Sequence, residues 1–303
     1  MLHPSADANK SILAETSAVG GVVRRYRIYG QTIASRRELP GLPRVDDMAE
    51  PVDVTLHWEK VPEQLAEAKM EGACFQAAPG EFLIWREGVA RFHVRGGNAI
   101  AIEADAGASA EKFVALLLSA PWAARSLLAG LLPLHASAVA MREGAVVFLG
   151  GASAGKSEIA AASHARGFGV LADDLTVLRV DAGRAMVAPG LPRVQRWPAT
   201  NGEARGVLDC SAHAPTSAVP LAAIYVLDRG AARAPARLAG PEAIAALVDG
   251  VYRPAFVRGL GLERQVLAQA AALAKSARVR RLVVPDGGDP RDLVARVVED
   301  LAS

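Results

Sequence analysis

Positions 150–157 read G-G-A-S-A-G-K-S, a match to G-x-x-x-x-G-K-[ST], and that spacing dictates both a backbone geometry and a ligand. Glycines let the chain wrap an anion while amide N–H groups point inward. Such a loop needs a strand before it and a helix after it. Ala145 to Leu149 is an apolar run of strand length, and Ser157 to Ala162 supplies helix formers. The second half of the chain is thereby constrained to an α/β arrangement that cradles phosphate. The cradle comprises Gly150, Gly151, Ala152, Ser153, Ala154, Gly155, Lys156 and Ser157. In it Lys156 reaches the outer phosphates and Ser157 offers its hydroxyl to Mg²⁺.

The chain has 303 residues, enough for two domains with buried cores. Half its residues are hydrophobic and the net charge is only +2. Of its 34 basic residues 28 are arginine, which reads as composition bias, because no basic block with interleaved aromatics occurs. Nucleic acid is therefore excluded as the expected partner. Cys74 and Cys210 are too few for a disulfide framework and lack metal-site spacing. The N-terminus lacks a basic then apolar leader, so a cytoplasmic location is expected. The apolar stretch Phe113 to Leu134 contains Pro121 and Arg125, which predicts a buried helical hairpin rather than a membrane span.

Residues 1–24 are small and polar and read as a flexible arm. Residues 25–132 read as a small β-rich α+β domain. Its expected strands are Tyr26–Tyr29, Val52–Trp58, Glu81–Trp85, Ala90–Val94 and Ala99–Glu103, alternating as an antiparallel sheet with one wet face. Glu87-Gly88 and Gly96-Gly97-Asn98 are hairpin turns, and helices over about 109–131 close the domain. Residues 133–303 then form the phosphate-loop domain. It is expected to carry a strand over Phe168–Ala172, another over Leu221–Leu227, and a helix over Pro241–Val248. A further helix is expected over Ala255–Ser276, a strand over Val279–Val284, and a last helix started by Asp289-Pro290.

Three features stand near the loop. Asp173-Asp174 follows the strand after the loop helix, at the carboxyl end where open α/β sheets bind ligands. Adjacent carboxylates ask for a cation such as Mg²⁺, and strand alternation directs one to metal and the other to a substrate hydroxyl; a solvated Asp-Asp turn is the plainer alternative. His135 begins a hairpin with the strand that feeds the loop. A turn at Glu143-Gly144 sets it opposite Ala152, and a turn shifted by one residue sets it opposite Gly150. A lone histidine on an apolar strand is otherwise a core residue. Glu158 either complements the helix dipole or serves as an outer-shell Mg²⁺ ligand.

Together these residues resemble the catalytic domain of the HPr kinase/phosphorylase family. His135 lies 21 residues before Lys156, the loop ends Gly155-Lys156-Ser157-Glu158, and Asp173-Asp174 begins 17 residues after the lysine. The run Pro189 to Pro198 (P-G-L-P-R-V-Q-R-W-P) is similar to stand-alone kinases found beside peptide-tailoring and lasso-peptide genes. The resemblance covers residues 133–198. It implies a P-loop kinase fold of the phosphoenolpyruvate-carboxykinase type, with ATP and Mg²⁺ as cofactors and a serine-containing peptide or protein as substrate. Carried over by position, Asp173 is the general base, tuned by His135, and Lys156 grips the β/γ-phosphates. Ser157, Glu158 and Asp174 support metal and substrate. Enzymes of this family assemble into hexamers, so a homo-oligomer is implied.

The chain also departs from that pattern. Arg258-Gly259-Leu260-Gly261 occurs 84 residues after Asp174 instead of shortly after it, which speaks against a reverse phosphorylase reaction. Arg193, Arg196, Arg253 and Arg258 are the candidate phosphate-facing arginines. A kinase for a small hydroxylated metabolite and a nucleotide switch without acceptor are the alternative readings.

Overall fold

The computed structural model describes residues 22–181, 184–196, 206–231 and 233–303. Residues 1–21 of the expected arm, and Trp197 and Pro198, lie outside the described residues. The chain is a mixed α/β protein that divides into two compact units. One takes in the chain up to Gly130 together with Ala255–Glu263; the other comprises Leu131–Pro254 and Arg264–Ser303.

The first unit is built on one sheet of eight strands. They are β1 (Arg24–Ile28), β2 (Gln31–Ser35), β3 (Val54–Trp58), β4 (Met70–Gly72), β5 (Phe75–Ala78), β6 (Glu81–Arg86), β7 (Ala90–Arg95) and β8 (Ala99–Ala104). Their spatial order is β1-β2-β3-β8-β7-β6-β5-β4. The hairpins at 87–89 and 96–98 join β6, β7 and β8 at the turns read from sequence. The all-antiparallel expectation is corrected, because β3 pairs parallel to both β2 and β8. Alternation reports which face is wet but not which strand is the neighbour, and the long connection over 36–53 permits a parallel crossover. Two helices, α1 (Ala110–Leu117) and α2 (Ala120–Leu128), cover the sheet. Phe113 packs on Trp58 and Phe92 with ring centroids 5.2 and 5.4 Å apart, and Trp122 is fully buried. No helix among the described residues is long and apolar enough to cross a membrane.

The second unit carries β9 (Leu132–Leu134), β10 (Ala136–Met141), β11 (Gly144–Leu149), α3 (Lys156–Ala165), β12 (Gly169–Ala172), β13 (Thr176–Asp181), β14 (Arg184–Val187), β15 (Arg193–Arg196) and β16 (Gly206–Asp209). It continues through β17 (Val219–Arg229), β18 (Ala236–Arg237), α4 (Gly240–Asp249), α5 (Pro254–Leu260), α6 (Glu263–Ser276), β19 (Arg278–Val284) and α7 (Pro290–Ala302). The main sheet runs β12-β10-β11-β17-β14-β13-β9, with β19 also on β17 and β18 on β19. At its centre β11, β17 and β19 are parallel, and their carboxyl ends share one edge. Ile159 and Ala160 of α3 and Leu293, Val294 and Val297 of α7 bury against Phe148, Tyr225 and Leu282 of those strands. Asp289 accepts the Arg291 amide at 2.8 Å and caps α7, as its sequence predicts.

The helix expected as one piece over 255–276 is two. Gly261, with φ +71, ends α5, and α6 starts at Glu263. Arg258 to Gly261 therefore closes a helix of the first unit, remote in sequence from the glycine-rich loop at 150–157. Its Gly259 has a packing reason, since an added Cβ would lie 2.5 Å from Ala77 Cβ.

Candidate functional site

The loop leaves β11 at Gly150 and enters α3 through Gly155, whose φ is +99; Ser153 is also left-handed, at +59. These conformations turn the backbone around the helix N-terminus, where unpaired amides and the helix dipole favour an anion. Lys156 is almost fully buried, 7% exposed. Its Nζ donates to the carbonyls of Gly150 (2.9 Å) and Gly151 (2.8 Å), which leaves the third ammonium proton for a ligand. Burial lowers the lysine pKa, and Asp174, Asp173 and Glu158 oppose that shift by favouring the charge.

The two aspartates have separate partners. Asp173 Oδ1 accepts from Ser157 Oγ at 2.9 Å and from Ser137 Oγ at 2.5 Å, and Oδ2 accepts the Gln195 amide at 3.0 Å. Asp174 adopts φ +68, which swings its side chain out of the strand direction. His135 Nδ1 lies 3.2 Å from Asp174 Oδ1 and 3.2 Å from the Asp174 carbonyl oxygen. The histidine expected to tune Asp173 thus faces Asp174 instead. The reason is register. Ala136 pairs with Leu149 and Met141 with Gly144, so the turn is Arg142-Glu143. Continuing that register puts His135 opposite Gly150, the second of the two arrangements open from sequence.

A cavity of about 500 Å³ lies over the loop, bounded by His135, Lys156, Ser157, Glu158, Asp174 and Arg229, among others. Glu158 is exposed on the first turn of α3. Arg229 has no sequence motif to mark it. It ends β17, its guanidinium donates to the Ser153 carbonyl at 2.7 Å, and its only signal is a charged residue at a buried strand's carboxyl end.

A second cavity, about 590 Å³, shares His135, Asp174, Gly150 and Gly151 with the loop region and opens beneath α4. Leu149, Val226, Leu227 and Val251 make it largely apolar, and Tyr252 and Arg253 bring polar groups to its wall. Tyr252 is buried, with its ring 5.9 Å from that of His135 in an edge arrangement. Burial first and Asp174 second raise its phenol pKa, and Arg253 opposes them. Arg253 was a candidate from sequence and is brought to the site. Arg258 is exposed in the first unit, and Arg193 is half-buried on β15. Tyr252 was missed, because an isolated tyrosine before Arg-Pro carries no pattern.

The donors fit a P-loop magnesium. Among the described residues no group of three or more His, Cys, Asp or Glu could hold a metal. Magnesium in such sites needs only one or two protein oxygens beside phosphate. Ser157 Oγ and Asp173 Oδ1, 2.9 Å apart, match the separation of about 2.9 Å between adjacent oxygens on an octahedral ion with bonds of about 2.0–2.1 Å. Cys210, buried nearby, is pushed up to about 11 by burial with Asp209 and Asp173, so it stays a thiol.

No protein-family model matches the chain, and no curated protein does. Among solved structures the chain is similar to the Hpr(Ser) kinase/phosphatase from Coxiella burnetii. That alignment has 15% sequence identity and a TM-score of 0.35, and it covers 56% of this chain and 99% of the other. The structural relationship is a distant one.

Proposed function

We propose that the protein is a P-loop phosphotransferase that moves the γ-phosphoryl group of Mg-ATP to a serine hydroxyl of a peptide or protein. The observation that carries this reading is the division of labour at one strand end. Asp173 is tied to the loop hydroxyl of Ser157, and Asp174 is tied to His135 at the mouth of a second cavity. A nucleotide switch needs only the first pair. A carboxylate–imidazole pair facing a separate, largely apolar cavity is what an acceptor hydroxyl requires.

Bound Mg-ATP would supply the electrophilic phosphorus and neutralise its charge. Gly150 to Gly155 would hold the phosphates by backbone amides, and Lys156 and Arg229 would balance their negative charge. Ser157 and Asp173 would carry the metal. Asp174 would accept the proton of the serine hydroxyl, with His135 holding its carboxylate in place; this exchanges the roles that the family resemblance implies for the two aspartates. Glu158, exposed at the loop cavity, would serve beyond the metal's direct ligands. The resemblance in residues 133–198 favours a peptide or protein acceptor over a small metabolite.

The test is transfer from γ-labelled ATP to a panel of serine peptides, with nucleotide affinity measured in parallel. Label should appear on peptide serine, and Lys156→Ala should weaken nucleotide binding at least about 10-fold. Release of label only as inorganic phosphate, at one rate with or without peptides, would instead identify a nucleotide switch.

A further inference from the structure

We propose that Ser137 is the positioning residue for the metal side of the site. With a β-bulge at Leu171 it holds the Asp173 carboxylate where Ser157 can share an ion with it. The proposal rests on the phosphotransfer reading only in giving Asp173 a metal to hold, and every residue it uses lies in the second unit.

Ser137 is the one polar residue of β10, which reads Ala-Ser-Ala-Val-Ala-Met, and it is fully buried. Packing alone would be served by alanine or valine, since a buried hydroxyl costs stability unless it is hydrogen-bonded. The bond that Ser137 makes runs to Asp173 Oδ1 at 2.5 Å, the short distance of a hydroxyl donating to a carboxylate.

Strand pairing explains how the two meet. Ala140 pairs with Gly169 and Val139 with Val170, a register that would set Ser137 opposite Ala172 if it continued. It shifts at the next position, where Ala138 pairs with Ala172 and leaves Leu171 as an extra residue on β12. The shift brings Asp173 opposite Ser137. Bulges beside active sites re-aim side chains in this way. The Leu171 carbonyl accepts the Gly190 amide at 2.7 Å, which ties the bulge to the stretch that supplies the Gln195 amide to Asp173.

Asp173 Oδ1 accepts two hydroxyls, and they are not equivalent. Ser157, in the first turn of α3, lines the loop cavity and donates at 2.9 Å. To share an ion with Asp173 it must turn an oxygen lone pair to that ion, and its proton then leaves Oδ1. Ser137 is not among the walls of the cavity, so its donation persists. Together with the Gln195 amide on Oδ2 it keeps the carboxylate from rotating. Hydrogen-bond partners that orient a ligating carboxylate are worth about 10–100-fold in metal affinity.

The experiment uses the full chain loaded with β,γ-imido-ATP, which is not transferred, and reads Mn²⁺ affinity by electron paramagnetic resonance. Ser137→Ala is expected to weaken Mn²⁺ binding about 10-fold and to leave the metal-free nucleotide Kd unchanged. Ser137→Thr, which keeps the hydroxyl, should recover most of the loss. Ser163→Ala is the control for losing a buried hydroxyl, because Ser163 donates to the Ile159 carbonyl at 2.8 Å and leaves Asp173 alone. It should not alter Mn²⁺ affinity. Adding Ser137→Ala to Asp173→Asn should cost no further affinity, since both act through one carboxylate. Should Ser137→Ala fail to fold, Ser137→Cys, close in size and a weak donor, carries the same comparison. Unchanged affinity, an equal loss from Ser163→Ala, or additive losses overturn the proposal. Absence of label on peptide serine overturns the phosphotransfer reading alone, because Mn²⁺ affinity is read without turnover. Mn²⁺ binding no tighter to the loaded protein than to free nucleotide overturns both.

Discussion

His135 pairs with Asp174 and not with Asp173. Its Nδ1 lies 3.2 Å from Asp174 Oδ1, while Asp173 is taken up by Ser137, Ser157 and the Gln195 amide. Two adjacent carboxylates, alike in sequence, thus meet different chemistry. One is joined to the loop hydroxyl, and the other to an imidazole at a cavity mouth.

This separation predicts distinct losses. Asp174→Asn should retain nucleotide affinity and lose phosphoryl transfer by about 10²–10⁴-fold, the range for removing a general base. Asp173→Asn should raise the Mg²⁺ concentration needed for half-maximal transfer by about 10–100-fold. Single-turnover transfer under Mg²⁺ titration distinguishes them. The reverse pattern would return the base role to Asp173.

The segment lining the cavity beside His135 and Asp174 is closely packed, and its tightness is testable. Gly250→Ala would drive a methyl group into Leu149, the last residue before the phosphate loop. Overpacking of this kind should cost about 1–3 kcal/mol in urea unfolding. Combining it with Leu149→Val, which shortens the obstructing side chain, should recover part of that loss. Strict additivity of the two would show that the contact is not the cause.

A buried polar cluster fixes α7. Tyr225 Oη donates to Asp300 Oδ2 at 2.7 Å, and Arg280 forms an ion pair with the other oxygen. Asp300→Ala leaves the buried Tyr225 phenol without its acceptor and the Arg280 guanidinium with the Pro235 carbonyl but no carboxylate, and should destabilise the chain by about 2–4 kcal/mol. Tyr225→Phe, which removes one hydrogen bond, should cost about 1 kcal/mol. Urea midpoints of the two variants give the comparison.

The first unit should respond to mild acid. Burial lowers the His93 pKa, and the hydrogen bond to Glu81 opposes the shift only in part. The native state therefore takes up this proton at lower pH than the unfolded chain, whose histidine titrates near 6.5. In the window below 6.5 the unfolded state binds more protons, so stability falls as pH falls. His93→Gln should flatten the change in unfolding midpoint between about pH 7.5 and about pH 5.5. An unaltered pH slope in that variant would sink the assignment to His93.

Much of the site was legible because it is local. The loop spacing, its flanking strand and helix, the Asp-Asp pair and the capped helix at Asp289 each follow from a few neighbouring residues. Arg229 and Tyr252 were not legible, since each reaches the site from an element distant in sequence and carries no motif. In the first unit strands β6, β7 and β8 and their turns were readable, but each buries three consecutive residues, so the expected alternation with one wet face is corrected there. The short, fully buried β2 was missed because it lacks alternation, and the parallel placement of β3 needed the assembled sheet.

By itself the sequence determined a glycine-rich loop between strand and helix, because glycine positions and a lysine at fixed spacing act over one turn of backbone. Only the tertiary structure decided which aspartate meets His135. That choice depends on a hairpin turn at Arg142-Glu143 and a left-handed backbone at Asp174, both of which are settled by pairing with β11 and β12 across the sheet. It also decided that α5 belongs with the β-rich unit, because burying Phe256 between Phe75 and Phe82 removes apolar surface from water in a way that its position along the chain does not reveal.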